Sequence, residues 1–103
     1  MTSDHQEWAV GFSVKAAKQA RRLPDDILPA LHLLVAELSR SGPRLAHWRN
    51  YGPLVGKKGI YHCHLNGGKP RYVAVWKEER GQVRVLEIIY AGTHEGARYH
   101  RMA

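Results

Sequence analysis

The stretch Ile60–Asn66, with the sequence IYHCHLN, reads as a β-strand that leads through two glycines into a second strand over Arg71–Lys77. Successive side chains of a strand point to opposite faces of the sheet. One face of the first strand then carries its apolar members, Tyr61, Cys63 and Leu65. His62 and His64 share the other face, and Arg71 is expected close to them on the neighbouring strand. We therefore predict a hairpin with one face suited to a hydrophobic core and one face that presents two imidazoles.

Hydrophobic periodicity predicts one strand before this hairpin and one after it. Trp8–Val14 alternates large apolar residues with small ones, which is typical of a half-buried strand. The last strand is predicted over Val83–Ala91, with Arg84, Leu86, Ile88 and Tyr90 on a common face. A basic helix is expected over Lys15–Arg22, and Ser13 is its predicted cap.

A second helix is expected to start between Pro24 and Asp26 and to end before Gly42-Pro43. Asp25 and Asp26 both favour a helix N-terminus. With Asp26 as the N-cap, Pro29 would lie in the first turn, where a missing N–H costs nothing. The helix has a continuous apolar stripe at helical spacing, made of Ile27, Leu31, Leu34, Val35 and Leu38.

The predicted fold class is therefore α+β, with two N-terminal helices packed on one face of a four-stranded, mainly antiparallel sheet in the order β-α-α-β-β-β. Residues 1–103 are expected to form a single domain, since the chain is long enough for one modest core only. The first strand needs a longer crossover to reach its partner. Apolar residues on both faces of the last two strands predict that the face away from the helices accepts a partner chain.

Charge is the strongest compositional feature. Sixteen Lys and Arg against nine Asp and Glu give a net charge of +7 with histidines neutral. Such a basic domain favours a polyanionic partner, either nucleic acid or an acidic protein, over a basic protein charged for solubility alone. The single cysteine, Cys63, cannot form an internal disulfide, which favours a reducing cytoplasm. No apolar run approaches the roughly 20 residues of a membrane span, so no membrane association is expected.

The segment Arg44–Lys58 is expected to be irregular, and it mixes cations with aromatic rings. Such groups clamp phosphates and stack on bases. The alternative is that Trp48 and Tyr51 merely cover an edge of the core, and the residues leave both interpretations open.

The order of elements, together with particular residues, resembles the RelE/ParE/HigB superfamily of toxins from bacterial toxin–antitoxin pairs. The similarity covers roughly Trp8 to Tyr99. It is carried by three segments, namely the opening Phe12–Lys18 followed by Leu23-Pro24, the central strand Tyr72–Trp76, and the final strand and tail, Ile88–His94 with Tyr99. No single segment is diagnostic, but in this order they form a fairly specific pattern.

The resemblance implies one of two activities. In the RelE and HigB branches it implies a ribosome-dependent ribonuclease that cuts mRNA in the decoding site. In the ParE branch it implies a non-enzymatic inhibitor of DNA gyrase, and an acidic antitoxin neutralises either kind. The positions that match RelE-like sites are His62, His64, Arg71, His94 and Tyr99. Histidines stand at three positions where that branch carries lysine or arginine, which moves this chain closer to the histidine-using HigB style.

These residues suit RNA cleavage in which the 2′-hydroxyl attacks the adjacent phosphate. Histidine serves as base or acid because its pKa is near 6.5, and Arg71 suits the phosphate. Our hypothesis makes His62 or His64 the base and His94 the acid, while Tyr99 positions the 2′-hydroxyl, stacks on a base or shares the proton transfer. Four cations are candidates for substrate binding, namely Lys57, Lys58, Arg49 and Arg98. The expected partners are a cognate antitoxin and mRNA on the ribosome, with no metal or other cofactor.

Three alternatives remain open from the residues. The His-x-His pair can be a solvated strand face, the usual case in an arbitrary protein. The same pair can bind zinc together with His94, although no carboxylate or thiolate is placed to join them. The chain can also be a basic RNA-binding module without catalysis, whereas Cys63 is disfavoured as a nucleophile because its natural place is the core face.

Overall fold

The computed structural model describes residues 7–102, except for the side chain of His100. Its helices and strands follow in the order β1 Ala9–Phe12, α1 Val14–Arg21, α2 Leu28–Ser41, β2 Gly52–Pro53, β3 Ile60–His64, β4 Tyr72–Glu78 and β5 Val85–Thr93, and a short 3₁₀ helix covers Tyr99–Arg101. The strands form one sheet in the order β1-β5-β4-β3-β2. β1 pairs in parallel with β5 and the other pairs are antiparallel. The predicted α+β class is confirmed, and no helix in residues 7–102 is long and apolar enough to cross a membrane.

The sheet has five strands instead of the four expected, because β2 lies within the segment predicted to be irregular. Gly52 pairs with His62 and Pro53 with Tyr61. A two-residue strand that contains glycine and proline has no hydrophobic alternation, so its sequence carries no strand signal. Only its pairing with β3 identifies it.

The first helix begins as expected, and the second does not. Ser13 caps α1, since its hydroxyl oxygen accepts a hydrogen bond from the Ala16 amide at 3.0 Å. The N-cap of α2 is Ile27 instead of Asp26, and no side chain caps this helix end. Pro29 lies in the first turn, where it was predicted. α2 ends before Gly42, whose φ of 82° is easily adopted by glycine.

The main core lies between the two helices and one face of the sheet. Leu31, Leu34 and Leu38 of α2 are buried there. The sheet supplies Tyr61, Cys63, Ala74, Trp76, Leu86, Ile88 and Ala91, and Leu65 joins them directly after β3. This is the face that the alternation of β3 predicted. Burial of Leu31, Leu34 and Leu38 stabilises α2 by about 1.5–3 kcal/mol for each side chain relative to exposure.

A β-bulge corrects the alternation predicted for the last strand. Val75 pairs with Tyr90 but Trp76 pairs with Ile88, so Ile89 is an extra residue in β5. Ile88 therefore packs in the helix-side core, while Tyr90 packs on the opposite face against Val75. A bulge is a property of the pairing between two strands, which the alternation along one strand does not contain.

The opposite face of the sheet is also not the open docking surface that was expected. A second hydrophobic cluster forms there from Leu54, Ile60, Val73, Val75 and Tyr90. The chain's own C-terminal residues pack on it through Ala97, Tyr99 and Met102. The segment after β5 thus folds back over the face that carries the two histidines of β3.

Candidate active site

Four aromatic side chains form a connected cluster on the face away from the helices. The ring centroids of His62 and Tyr99 are 5.7 Å apart, and those of Tyr99 and His94 are 6.3 Å apart. The ring centroids of His64 and His94 are also 5.7 Å apart. All three pairs meet edge to face, with interplanar angles of 70–80°. The structure therefore brings together the three predicted histidines and the predicted tyrosine.

Strand pairing and one backbone hydrogen bond position this cluster. His62 lies opposite Val75 and His64 opposite Val73 in the β3–β4 register, so both imidazoles stand above the second hydrophobic cluster. The His94 amide donates to the Arg71 carbonyl oxygen at 2.7 Å, which ties the segment after β5 to the start of β4. Arg71 and His94 line one cavity of about 310 Å³.

The site contains unsatisfied polar atoms. Among the described residues, the buried side-chain nitrogen and oxygen atoms without a hydrogen-bond partner are His64 Nδ1, Arg71 Nε and the Tyr99 hydroxyl. Each belongs to a residue that the sequence placed in the site. An unpaired buried polar group costs about 1–3 kcal/mol, so such groups are rare where nothing requires them. They are the donors and acceptors that a polar ligand in this site would satisfy.

The orientation of His62 follows from a backbone contact that the sequence did not reveal. His62 Nδ1 lies 2.7 Å from the carbonyl oxygen of Gly52 in β2. A carbonyl oxygen only accepts hydrogen bonds, so Nδ1 donates and carries the proton. In the neutral ring, Nε2 is then left with a free lone pair. Gly52 is a positioning residue that could not be found from sequence, because β2 itself carried no signal.

His64 is held toward its neutral form. Burial is the largest cause that lowers the pKa of His64, and the Arg71 guanidinium is the next. His94, His62 and Arg49 lower it further by charge repulsion. A buried neutral imidazole beside a guanidinium accepts a proton less readily than a solvated one, and it remains a hydrogen-bond acceptor at neutral pH.

One phenol and one thiol are held in their protonated forms. Burial raises the pKa of Tyr99, and Tyr90 raises it further, so the phenol remains a neutral donor. Burial also raises the pKa of Cys63 to about 12, which removes thiolate character from that side chain. Cys63 lies in the helix-side core, away from the histidines, as expected.

Zinc binding receives no support from the arrangement of ligands. Within residues 7–102, no three histidine, cysteine, aspartate or glutamate side chains are placed to hold a metal ion. The rings of His64 and His94 meet edge to face with centroids 5.7 Å apart, and the ring that contacts His62 is that of Tyr99.

The four cations expected to bind substrate lie in different places. The Arg49 carbonyl oxygen accepts from the His64 amide at 2.8 Å, and both side chains line one cavity, so Arg49 adjoins the site. Lys57 and Lys58 precede β3, at the end of the strand about 13 Å from His64. Arg98 lines a separate cavity with Lys15 and Arg101.

One cation near the site was not predicted from the sequence, and two aromatic residues take up one of the two interpretations left open for them. Lys69 lines the same cavity as Arg71 and His94, and its place in the hairpin loop beside Arg71 was the available signal. Trp48 and Tyr51 both pack against the helix-side core. The Tyr51 ring stacks on Tyr61 with centroids 6.1 Å apart, so the core-covering interpretation holds for that residue.

Several solved structures share this fold. The isolated RelE toxin of E. coli is 20% identical over 90% of each chain, with a TM-score of 0.66. The YoeB dimer from Staphylococcus aureus is 15% identical over 85% of this chain and 98% of its own, also at 0.66. The archaeal RelE-RelB complex from Pyrococcus horikoshii is 14% identical over 89% of this chain and 100% of its own, at 0.67. No protein-family model and no curated protein matches the sequence.

Proposed function

We propose that this chain, which has the RelE fold, is the toxin of a toxin–antitoxin pair. It would act as a metal-independent endoribonuclease that cleaves mRNA on the ribosome and inhibits translation, and a cognate antitoxin would neutralise it. The assignment as a toxin is supported by the similar solved structures, which are RelE and YoeB toxins. Two of these structures are toxin–antitoxin complexes. The net charge of +7 suits both an RNA substrate and an acidic antitoxin.

The observation that carries the nuclease proposal is the ring cluster of three imidazoles and a phenol, with unpaired polar atoms among them. The Arg71 guanidinium lies close enough to lower the pKa of His64, and Arg71 lines a cavity with His94. Cleavage by the 2′-hydroxyl needs a base, an acid and positive charge at the phosphate. A gyrase inhibitor needs none of these, because it acts by blocking a partner. The composition of the cluster therefore favours RNA chemistry.

The geometry supports a division of roles. His62 is the base, because the Gly52 carbonyl holds its Nδ1 proton and leaves the Nε2 lone pair available for the 2′-hydroxyl proton. As the 2′-oxygen bonds to phosphorus, the bond to the 5′-oxygen breaks, and His94 supplies a proton to that leaving group. Arg71 stabilises the charge on the phosphate oxygens. The products are a 2′,3′-cyclic phosphate and a 5′-hydroxyl.

The test is expression without the antitoxin, followed by mapping of mRNA ends. The wild-type chain should arrest growth and truncate mRNAs within codons during translation. His62→Ala, His94→Ala and Arg71→Ala should each lower cleavage about 10²–10⁴-fold while circular dichroism shows a folded protein. His32→Ala, on an exposed surface of α2, is the matched control and should retain activity.

Two outcomes would contradict the proposal. Toxicity that persists in all three site variants, together with loss of DNA supercoiling, would indicate a ParE-like gyrase inhibitor. RNA binding without any cleavage by the wild-type chain would indicate a basic RNA-binding module.

A further inference from the structure

A second cavity, of about 390 Å³, adjoins the histidine cluster at the end of β3. It is lined by Ala30 and Leu33 of α2, by Trp48 and Arg49 of the loop before β2, and by His64 of β3. Its volume is within the range of small-molecule sites. Because His64 lines this cavity and its ring also contacts His94, the cavity adjoins the candidate active site.

The walls of this cavity suit a flat aromatic group. Leu33 is 55% exposed, so its side chain is accessible to a ligand in the cavity that it lines. Trp48 packs partly against the core and lines the cavity with the rest of its surface. Apolar side chains together with an aromatic ring are the groups on which proteins place an unstacked base of a single-stranded nucleic acid.

The rim of the cavity is polar and can read the edge of a base. The Glu37 carboxylate lines it and contacts Arg40 at 2.8 Å and His47 at 3.5 Å through its two oxygens. Arg49 stands beside His64, where it can contact a phosphate as the chain enters the active site. Carboxylates accept from the amino groups of bases, and arginine pairs with phosphate.

We infer that this cavity, between α2 and the loop that carries Trp48 and Arg49, binds one nucleobase of the mRNA next to the scissile linkage. The inference rests on the proposed function for its substrate. The shared residue His64 and the Arg49 guanidinium in the lining favour RNA over an apolar segment of a protein partner. Trp48 stacks on the base and Leu33 packs on its other face.

The test combines a change in the protein with a change in the RNA. Ribosomes are programmed with mRNAs whose decoded codon carries an abasic nucleotide at one of three positions. For one position, loss of the base should lower wild-type cleavage roughly 10-fold, in the range seen when a stacking ring is removed. Trp48→Leu should lower cleavage of the intact codon to a similar extent, and the abasic change should then have no further effect.

The controls separate stacking from general effects. Leu33→Glu, on the helix surface, provides a second block of the cavity if Trp48→Leu does not fold. Val83→Glu adds the same charge at a residue that is 84% exposed and lines none of the cavities near the histidines, and it should retain the wild-type response to each abasic codon.

A second readout does not depend on cleavage. The Trp48 indole N–H signal, assigned with Trp48→Phe, should shift when a trinucleotide with a 2′-deoxy scissile position is added, and should not shift with the abasic form. If wild type shows these shifts but does not cut mRNA, the nuclease proposal fails and the base site stands. The base site is refuted if wild type cuts mRNA but the effects of Trp48→Leu and of the abasic codon on cleavage are additive. It is also refuted if Trp48→Leu impairs only neutralisation by the antitoxin.

Discussion

The Tyr99 hydroxyl provides a direct test of whether the site sacrifices stability for function. Its oxygen is buried without a hydrogen-bond partner, although the tyrosine ring itself packs on the second hydrophobic cluster. Tyr99→Phe removes this hydroxyl and keeps the ring. If the hydroxyl serves the reaction, the substitution should make the protein more stable and less active at once.

The magnitude follows from the burial of that one atom. An unpaired buried hydroxyl costs about 1–3 kcal/mol, and the lower end applies because the residue as a whole is only partly buried. Tyr99→Phe should therefore raise the free energy of unfolding by about 1 kcal/mol, which corresponds to a rise in Tm of about 4 °C for a domain of this size. Cleavage on programmed ribosomes should fall about 10²-fold.

The matched control is Tyr90→Phe on the same face. The Tyr90 hydroxyl donates to the Thr93 carbonyl oxygen at 2.7 Å, so its removal should lower the free energy of unfolding by about 1 kcal/mol. Urea titrations of the wild type, Tyr99→Phe and Tyr90→Phe measure both changes in the free energy of unfolding. A Tyr99→Phe protein that is destabilised like Tyr90→Phe, or one that cleaves at the wild-type rate, would refute the reasoning.

Three further predictions concern pH, packing and metal. Burial and the Arg71 charge lower the pKa of His64 in the folded state, so the unfolded chain binds more protons as the pH falls below about 6.5, and urea midpoints should fall with pH in that range. His64→Asn should flatten this dependence, and an unchanged slope would exclude His64 as its source. Leu34→Ala should cost about 2–5 kcal/mol in urea unfolding because Leu34 is fully buried, whereas the neighbouring Leu33→Ala should cost under about 1 kcal/mol; equal effects would contradict the assigned helix face. Cleavage should survive a zinc chelator that spares the magnesium of the ribosome, and loss of activity that added zinc restores would revive the metal interpretation.

Much of the fold was predictable because it depends on neighbours along the chain. Period-2 alternation in β3 assigned Cys63 to the core, and helical spacing in α2 assigned Leu31, Leu34 and Leu38 to its buried stripe. Ser13 was found as a cap from its position before a basic helix. The predicted cap of α2 was wrong because the helix starts after the two aspartates. Its first residue is Leu28, its N-cap is Ile27, and Pro29 lies in its first turn.

The composition of the candidate site was also visible in the sequence, as histidines, an arginine and a tyrosine at positions that match a family pattern. Strand alternation also predicted that His62 and His64 share a face with Arg71 close to them, whereas the ring contacts of His94 and Tyr99 depend on distant segments. The bulge at Ile89 turns Tyr90 toward the site, the tail folds back to set Tyr99 beside His62, and the Gly52 carbonyl orients that imidazole. Residue order specifies local geometry through the backbone, but strand register and the return of a tail are selected by packing across the whole sheet.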